Sequence, residues 1–193
     1  MSGLPEHRTC PSPLTRLVAD LRAAVRAGGD EGPEQTGRLV ARALAAHLGA
    51  EDLLTPPQLE PDWRSYRQHL LHVEPDGTFS VVALVWLPGQ RTPVHDHLAW
   101  CVTGVHLGAE EEIRYRLVAD GEQSHLVPVG VTVNPAGAVD FLAPPGDIHE
   151  VRNSSDRTSV SVHVYGADLS RNGSSIRRSY DLPVRSGEFA PRG

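Results

Sequence analysis

From Tyr66 onward the chain is a succession of short, valine-rich segments cut apart by turn-forming residues, and this pattern limits the fold more than any other feature. Residues 66–73, 78–87, 100–107, 113–118, 124–127, 138–142 and 158–165 each read as a strand. Glu74-Pro75-Asp76-Gly77, Ala119-Asp120-Gly121 and Pro144-Pro145-Gly146 supply turns between them. The 16 prolines and 18 glycines fit frequent reversals of the chain. Many short strands after an initial helical segment predict a mostly β fold, an antiparallel sandwich or barrel.

The N-terminal third has a different period. Leu14, Leu17, Val18, Leu21 and Val25 form one helical stripe, ended by Gly28-Gly29. Leu39, Val40, Ala43, Leu44 and Leu48 form a second, starting near Pro33 or Glu34 and stopping at Gly49. The expected organisation is a single domain over 1–193: helices over 14–50, a β-barrel over 60–168, and a polar tail over 169–193 with a loose end. A formal charge of −6 argues against a nucleic-acid partner. The first residues lack an apolar run, and the longest such run, Val81 to Leu87, is too short to cross a membrane. The cysteines, Cys10 and Cys101, make no disulfide framework, which fits a soluble protein of a reducing cytoplasm. Whether the chain is a monomer or a small homo-oligomer stays open.

His95-Asp96-His97 carries the chemistry. In a strand, alternate side chains share a face, so both imidazoles point one way and Asp96 the other. Two imidazoles at this spacing can reach one ion, and imidazole suits Zn, Fe, Cu and Ni alike. Gly89 precedes them in a G-x5-H-x-H pattern, and Pro144 to Asn153 reads P-x-G-x2-H-x3-N. Together these resemble the two motifs of the cupin superfamily, a double-stranded β-helix barrel. The resemblance implies His95, His97 and His149 as metal ligands. Many cupins add a glutamate shortly after H-x-H, but Leu98 to Val102 contains none. Neutral imidazoles would leave the ion its full charge, attractive to a thiolate or carboxylate.

Ser161, His163 and Tyr165 alternate with Val160, Val162 and Val164, so hydroxyl, imidazole and phenol share one strand face. That face could meet solvent, or line a barrel interior and hydrogen-bond in series. This Ser-x-His-x-Tyr run resembles the polar triad of the thiol dioxygenases. Tyr66 to Asp168 is similar to the bacterial branch of the cysteine dioxygenase family, which includes 3-mercaptopropionate dioxygenases. The resemblance implies one Fe(II) per chain, and a reaction in which a small thiol and O2 give a sulfinic acid. Tyr165 would hydrogen-bond the reactants, with His163 and Ser161 fixing its orientation.

Three further positions bear on the substrate. Tyr66 and Gln68 share a face, and Gln68 stands where mammalian-type cysteine dioxygenases have an arginine for the substrate carboxylate. That resembles the 3-mercaptopropionate type; Gln68 could also be an ordinary polar strand residue. Arg178 is the expected cationic partner of the carboxylate. Cys101 falls at a position where one branch of the family forms a thioether with the pocket tyrosine. A Cys101–Tyr165 crosslink and a free buried thiol are both open. L-cysteine is the alternative substrate, and a non-catalytic metal-binding sensor the alternative class, although mere binding does not require the Ser161–His163–Tyr165 set. His7, His47, His69, His72, His106 and His125 are expected to be surface or packing residues. Asp96 is expected to orient its strand, Asn153 to finish a turn, and Glu110-Glu111-Glu112 to be a solvated loop.

Overall fold

The computed structural model describes residues 10–29, 31–120 and 123–185. Helix α1 spans Pro13–Gly28 and α2 Pro33–Ala45. Ser12 caps α1, its hydroxyl accepting from the Thr15 N–H at 3.1 Å, and a proline opens each helix where no amide donor is needed. The strands are β1 Arg67–Val73, β2 Ser80–Trp86, β3 His95–His97, β4 Cys101–Leu107, β5 Ala109–Asp120, β6 Gln123–Pro135, β7 Val139–Leu142, β8 His149–Arg152, β9 Ser159–Tyr165 and β10 Ile176–Ser179; a short helix α3 covers Leu169–Asn172.

They form two five-stranded antiparallel sheets, ordered β1-β2-β9-β4-β7 and β10-β3-β8-β5-β6. This is the expected double-stranded β-helix with helices at its N-terminal end. The helices cover the outer face of the first sheet. Leu17, Leu21, Val40 and Leu44 join Val81, Ala83, Val85, Val102, Val160, Val162 and Val164 in one buried cluster. Gly104 permits the approach, because a Cβ there would lie 2.8 Å from Leu44 Cδ2. β2 and β9 are therefore buried on both faces. The polar side of β9 faces the barrel interior, where Val82, Leu84, Trp86, Cys101, Val151 and Tyr165 make a second cluster.

The structure differs from the sequence expectations in several places. α2 ends at Ala45, and residues 46–49 form a turn. β5 and β6 are far longer than 113–118 and 124–127, because their pairing runs from Ala109↔Pro135 to Asp120↔Gln123. The Glu110–Glu112 run lies inside β5 and is no loop; Glu110 and Glu112 are each 4% exposed. Finally, the segment after residue 168, expected as a polar tail, carries α3 and β10. β10 pairs with β3, and the Tyr180 N–H donates to the Val94 carbonyl at 2.9 Å. Residues 186–193, like His7, lie outside the described residues.

Candidate metal centre

β3 and β8 are paired, with His95 opposite His149. Since His95 and His97 share a face, the pairing brings all three imidazoles together. Their ligand atoms lie within 4.8 Å of one another, and this is the one such group among the described residues. Each ring is anchored through Nδ1. His95 Nδ1 donates to the Pro93 carbonyl at 2.9 Å. His97 Nδ1 lies 3.0 Å from Asp147 Oδ2, which also accepts the His97 backbone N–H at 2.9 Å. His149 Nδ1 lies 2.8 Å from Glu112 Oε1, and Arg114 Nε stands 3.2 Å from that same oxygen. With the proton on Nδ1, the Nε2 lone pairs are free for an ion.

Two observations fit a metal here. His149 Nε2 is buried and makes no hydrogen bond, a costly arrangement unless something else fills it. Burial, with the crowding of neighbouring imidazoles, pushes His95 and His149 down to about 3, so both rings are neutral at neutral pH. Burial works to raise the Asp147 carboxyl, but the His97 hydrogen bonds outweigh it and hold it below its ordinary value. The donor set is three imidazoles with no carboxylate ligand. Glu112 serves His149 from behind.

The polar face of β9 ends beside this centre. Ser161 Oγ lies 2.9 Å from His163 Nε2, and His163 Nδ1 lies 3.1 Å from Tyr165 Oη. The Tyr165 ring centroid is 5.9 Å from that of His97. Trp86 Nε1 donates to Ser161 Oγ at 3.2 Å, and the Trp86 ring stacks on Tyr66 with centroids 4.5 Å apart. Tyr66 and Gln68 line the same pocket as the histidines, as do Thr92 and Ser175. Burial raises the Tyr66 phenol, against a hydrogen bond with Gln68. Neither a cationic nor an acidic side chain is among the described residues lining this pocket. Cys101 is fully buried and is the cross-strand partner of Tyr165. Burial pushes its thiol well above the ordinary range, against a hydrogen bond with Tyr165.

Arg178 is elsewhere. Its guanidinium lies 3.3 Å from Asp96 Oδ2, more than half exposed, on the side of β3 away from the imidazoles. The carboxylate-binding role expected of it finds no support. The register explains the difference: β10 pairs with β3 through a bulge between Ile176 and Arg178, so Ile176 lines the pocket and Arg178 does not. Asp96 is buried and accepts from Arg177 Nη2 at 2.6 Å and Tyr180 Oη at 2.7 Å as well, tying β10 to the histidine strand.

Among the other histidines, His47 meets Asp20, His72 meets Glu74, and His106 meets the Leu48 carbonyl. Asn153 donates to the Trp86 and Arg157 carbonyls and accepts from Ser155, closing the turn after β8. Sequence reasoning missed Asp147, Glu112 and Trp86 as supports of the site. The alternation of the acidic residues within Ala109-Glu-Glu-Glu-Ile-Arg-Tyr-Arg was a usable sign of a strand with a carboxylate face.

The fold and the histidine cluster define a metal-binding β-barrel of the double-stranded β-helix type. Residues 60–174, more than half the chain, match the family model for cysteine dioxygenase type I. The chain belongs to that family. Solved structures similar to it include an uncharacterized conserved protein with a double-stranded beta-helix domain from Klebsiella pneumoniae, at 21% identity over 58% of this chain and 85% of that chain, TM-score 0.44. A Cupin 2 conserved barrel domain protein from Salinispora arenicola is 26% identical over 58% of this chain and 83% of that chain, TM-score 0.40.

Proposed function

We propose that this protein is an iron-dependent thiol dioxygenase that converts a small mercapto-carboxylate and O2 to the sulfinic acid, with 3-mercaptopropionate the favoured substrate. The observation that carries the reading is the meeting of three buried imidazoles with a Ser161–His163–Tyr165 hydrogen-bond chain that ends beside them. His95, His97 and His149 would hold Fe(II), which when bound supplies the redox chemistry that adds both atoms of O2 to the thiol sulfur.

The chain's own residues do the rest. Pro93, Asp147 and Glu112 fix the imidazole tautomers. Tyr165 offers a hydroxyl to the reactants, oriented by His163. Tyr66 and Gln68 stand on the pocket wall where a carboxylate can take neutral hydrogen bonds. An amino group would find no acidic partner among the described lining residues, and a buried unpaired ammonium is costly. That favours a substrate without one.

L-cysteine is the second reading, supported by Cys101 facing Tyr165 across β4 and β9. Aerobic turnover could join Cys101 Sγ to the Tyr165 ring, with O2 accepting the electrons and the pair losing two hydrogens. Peptide mass spectrometry reads that loss directly. The functional test is anaerobic Fe(II) loading, then oxygen uptake with 3-mercaptopropionate, L-cysteine and cysteamine. The expected result is sulfinate formation, fastest with 3-mercaptopropionate. Absence of sulfinate from every thiol would overturn the dioxygenase reading. Among the described residues no helix is long and apolar enough to cross a membrane.

A further inference from the structure

Glu110 is a buried carboxyl with no role in the site described so far. It reaches the barrel interior because β5 starts hard against β9. Ser159 Oγ accepts the Ala109 N–H at 3.1 Å and donates to the Ala109 carbonyl at 2.8 Å. Gly108 makes that contact possible: its φ is +76°, and a Cβ would lie 2.5 Å from Ser159 Oγ. One residue on, the Glu110 side chain lies beside Ser161 and Trp86, the polar groups that pull on its carboxyl. Its Oε1 is buried without a hydrogen bond.

We propose that Glu110 is a positioning residue at the far end of the Ser161–His163–Tyr165 chain, whose protonation state sets the direction in which those hydrogen bonds run. Its bearing on catalysis rests on the dioxygenase reading; the polarity of the chain does not. Ser161 Oγ accepts from Trp86 Nε1 in the structure, and that bond is kept in both proposed states. With Glu110 ionised, Ser161 donates to the carboxylate and accepts from His163 Nε2–H. His163 Nδ1 then accepts the Tyr165 hydroxyl, which shows only a lone pair to the metal pocket. With Glu110 protonated, the carboxyl donates to Ser161, and Ser161 donates to His163 Nε2. His163 Nδ1–H then donates to Tyr165 Oη, and the phenol proton is free to point at the reactants. Both states satisfy every donor within the chain except the Tyr165 hydroxyl, which in the second is left for the reactants, and they differ by one proton on Glu110.

The surroundings suit such a switch near neutral pH. Burial pushes the Glu110 carboxyl up to about 7; the charge of Glu112 on the same strand adds to this, while Ser161 and Trp86 oppose it. β9 presents Ser161 and His163, and burial holds His163 down at about 3, so this ring changes tautomer rather than charge. β2 presents the uncharged Trp86, and β6 presents Asn134 as the register partner of Glu110. β8 places Arg152 opposite Glu111, to which its guanidinium is bonded at 2.6 Å.

The test is nitrogen NMR of imidazole-labelled, full-length protein loaded with diamagnetic Zn(II), from about pH 6 to about pH 8, where an unperturbed carboxylate would not titrate. The expected result is that the His163 ring nitrogens exchange roles: Nε2 carries the proton at high pH, Nδ1 at low pH. In Glu110→Gln the exchange is lost. If the ring nitrogens keep their roles across the range in the native chain, or exchange identically in Glu110→Gln, the proposal is overturned. Because this readout needs no turnover, it fails or succeeds separately from the oxygen-uptake test. In the Fe(II) enzyme, the limb of the kcat/KM profile near neutral pH is expected to disappear in Glu110→Gln, and its persistence unchanged would also count against the proposal.

Discussion

The two faces of β2 and β9 are built from alternating residues of the same strands, yet they follow different rules. The outer face, with Val81, Val85, Val160, Val162 and Val164, packs on α1 and α2 and carries no polar side chain into that contact. The inner face, with Trp86, Ser161, His163 and Tyr165, spends buried volume on groups that must be hydrogen-bonded in one order. The outer face can tolerate any apolar side chain of the right shape. The inner face tolerates little, because each polar group there must keep its particular partners. Stability should therefore be set outside and chemistry inside.

Substitutions can break that division. The largest effect is expected on the metal itself. His149→Ala removes one ligand and leaves Glu112 facing a void, so iron content should fall from one per chain to near zero by metal analysis; full occupancy would contradict the three-histidine site. On the outer face, Leu44→Ala should cost about 2–5 kcal/mol, on the order of 10 °C in Tm for a chain of this size. The kcat of the remaining folded, iron-loaded protein should be unchanged. On the inner face, Tyr165→Phe should reverse the pattern, with kcat/KM down roughly 10- to 100-fold and a smaller shift in Tm than Leu44→Ala. A large loss of kcat in the first or a large loss of Tm alone in the second would dissolve the contrast.

The smallest expected effect lies on the edge of the outer region. Glu74 accepts two hydrogen bonds from Arg22 of α1, at 2.6 and 2.9 Å, and one from His72. The Arg22 hydrogen bond outweighs burial and holds the Glu74 carboxyl below its ordinary value. The folded state thus binds this proton less readily than the unfolded state. Its stabilisation is present above the ordinary carboxylate range and is lost as pH falls through the lower folded value. Glu74→Gln should cost about 1 kcal/mol at neutral pH, and the difference should vanish in acid. A constant difference at all pH values, read from denaturant curves, would mean the charge plays no part.

What could be read from the sequence divides along similar lines. His95 and His97, Ser161, His163 and Tyr165 were legible because strand alternation fixes which side chains share a face. The double alternation of β9 left open which face met solvent, and only the packing of the helices decided it. β8 and β10 were missed because four residues such as His149-Glu-Val-Arg152 carry almost no apolar pattern; their pairing is dictated by β3, β5 and Asp96. Glu110 and Glu112 read as a charge run because burial of a carboxyl is paid for only by partners distant in sequence, His149, Ser161 and Trp86. Arg178 was misplaced for the same reason: a one-residue bulge in β10 turned it to Asp96.

The central claim is that the inner face of β2 and β9, together with the three imidazoles of β3 and β8, oxygenates a thiol. The most direct measurement is turnover of 3-mercaptopropionate by the Fe(II)-loaded protein under isotopically heavy dioxygen, with mass analysis of the product. The account predicts a sulfinate in which both oxygen atoms carry the label, formed in step with O2 consumed. A product that is a disulfide, or a sulfinate with label in only one oxygen, would contradict it.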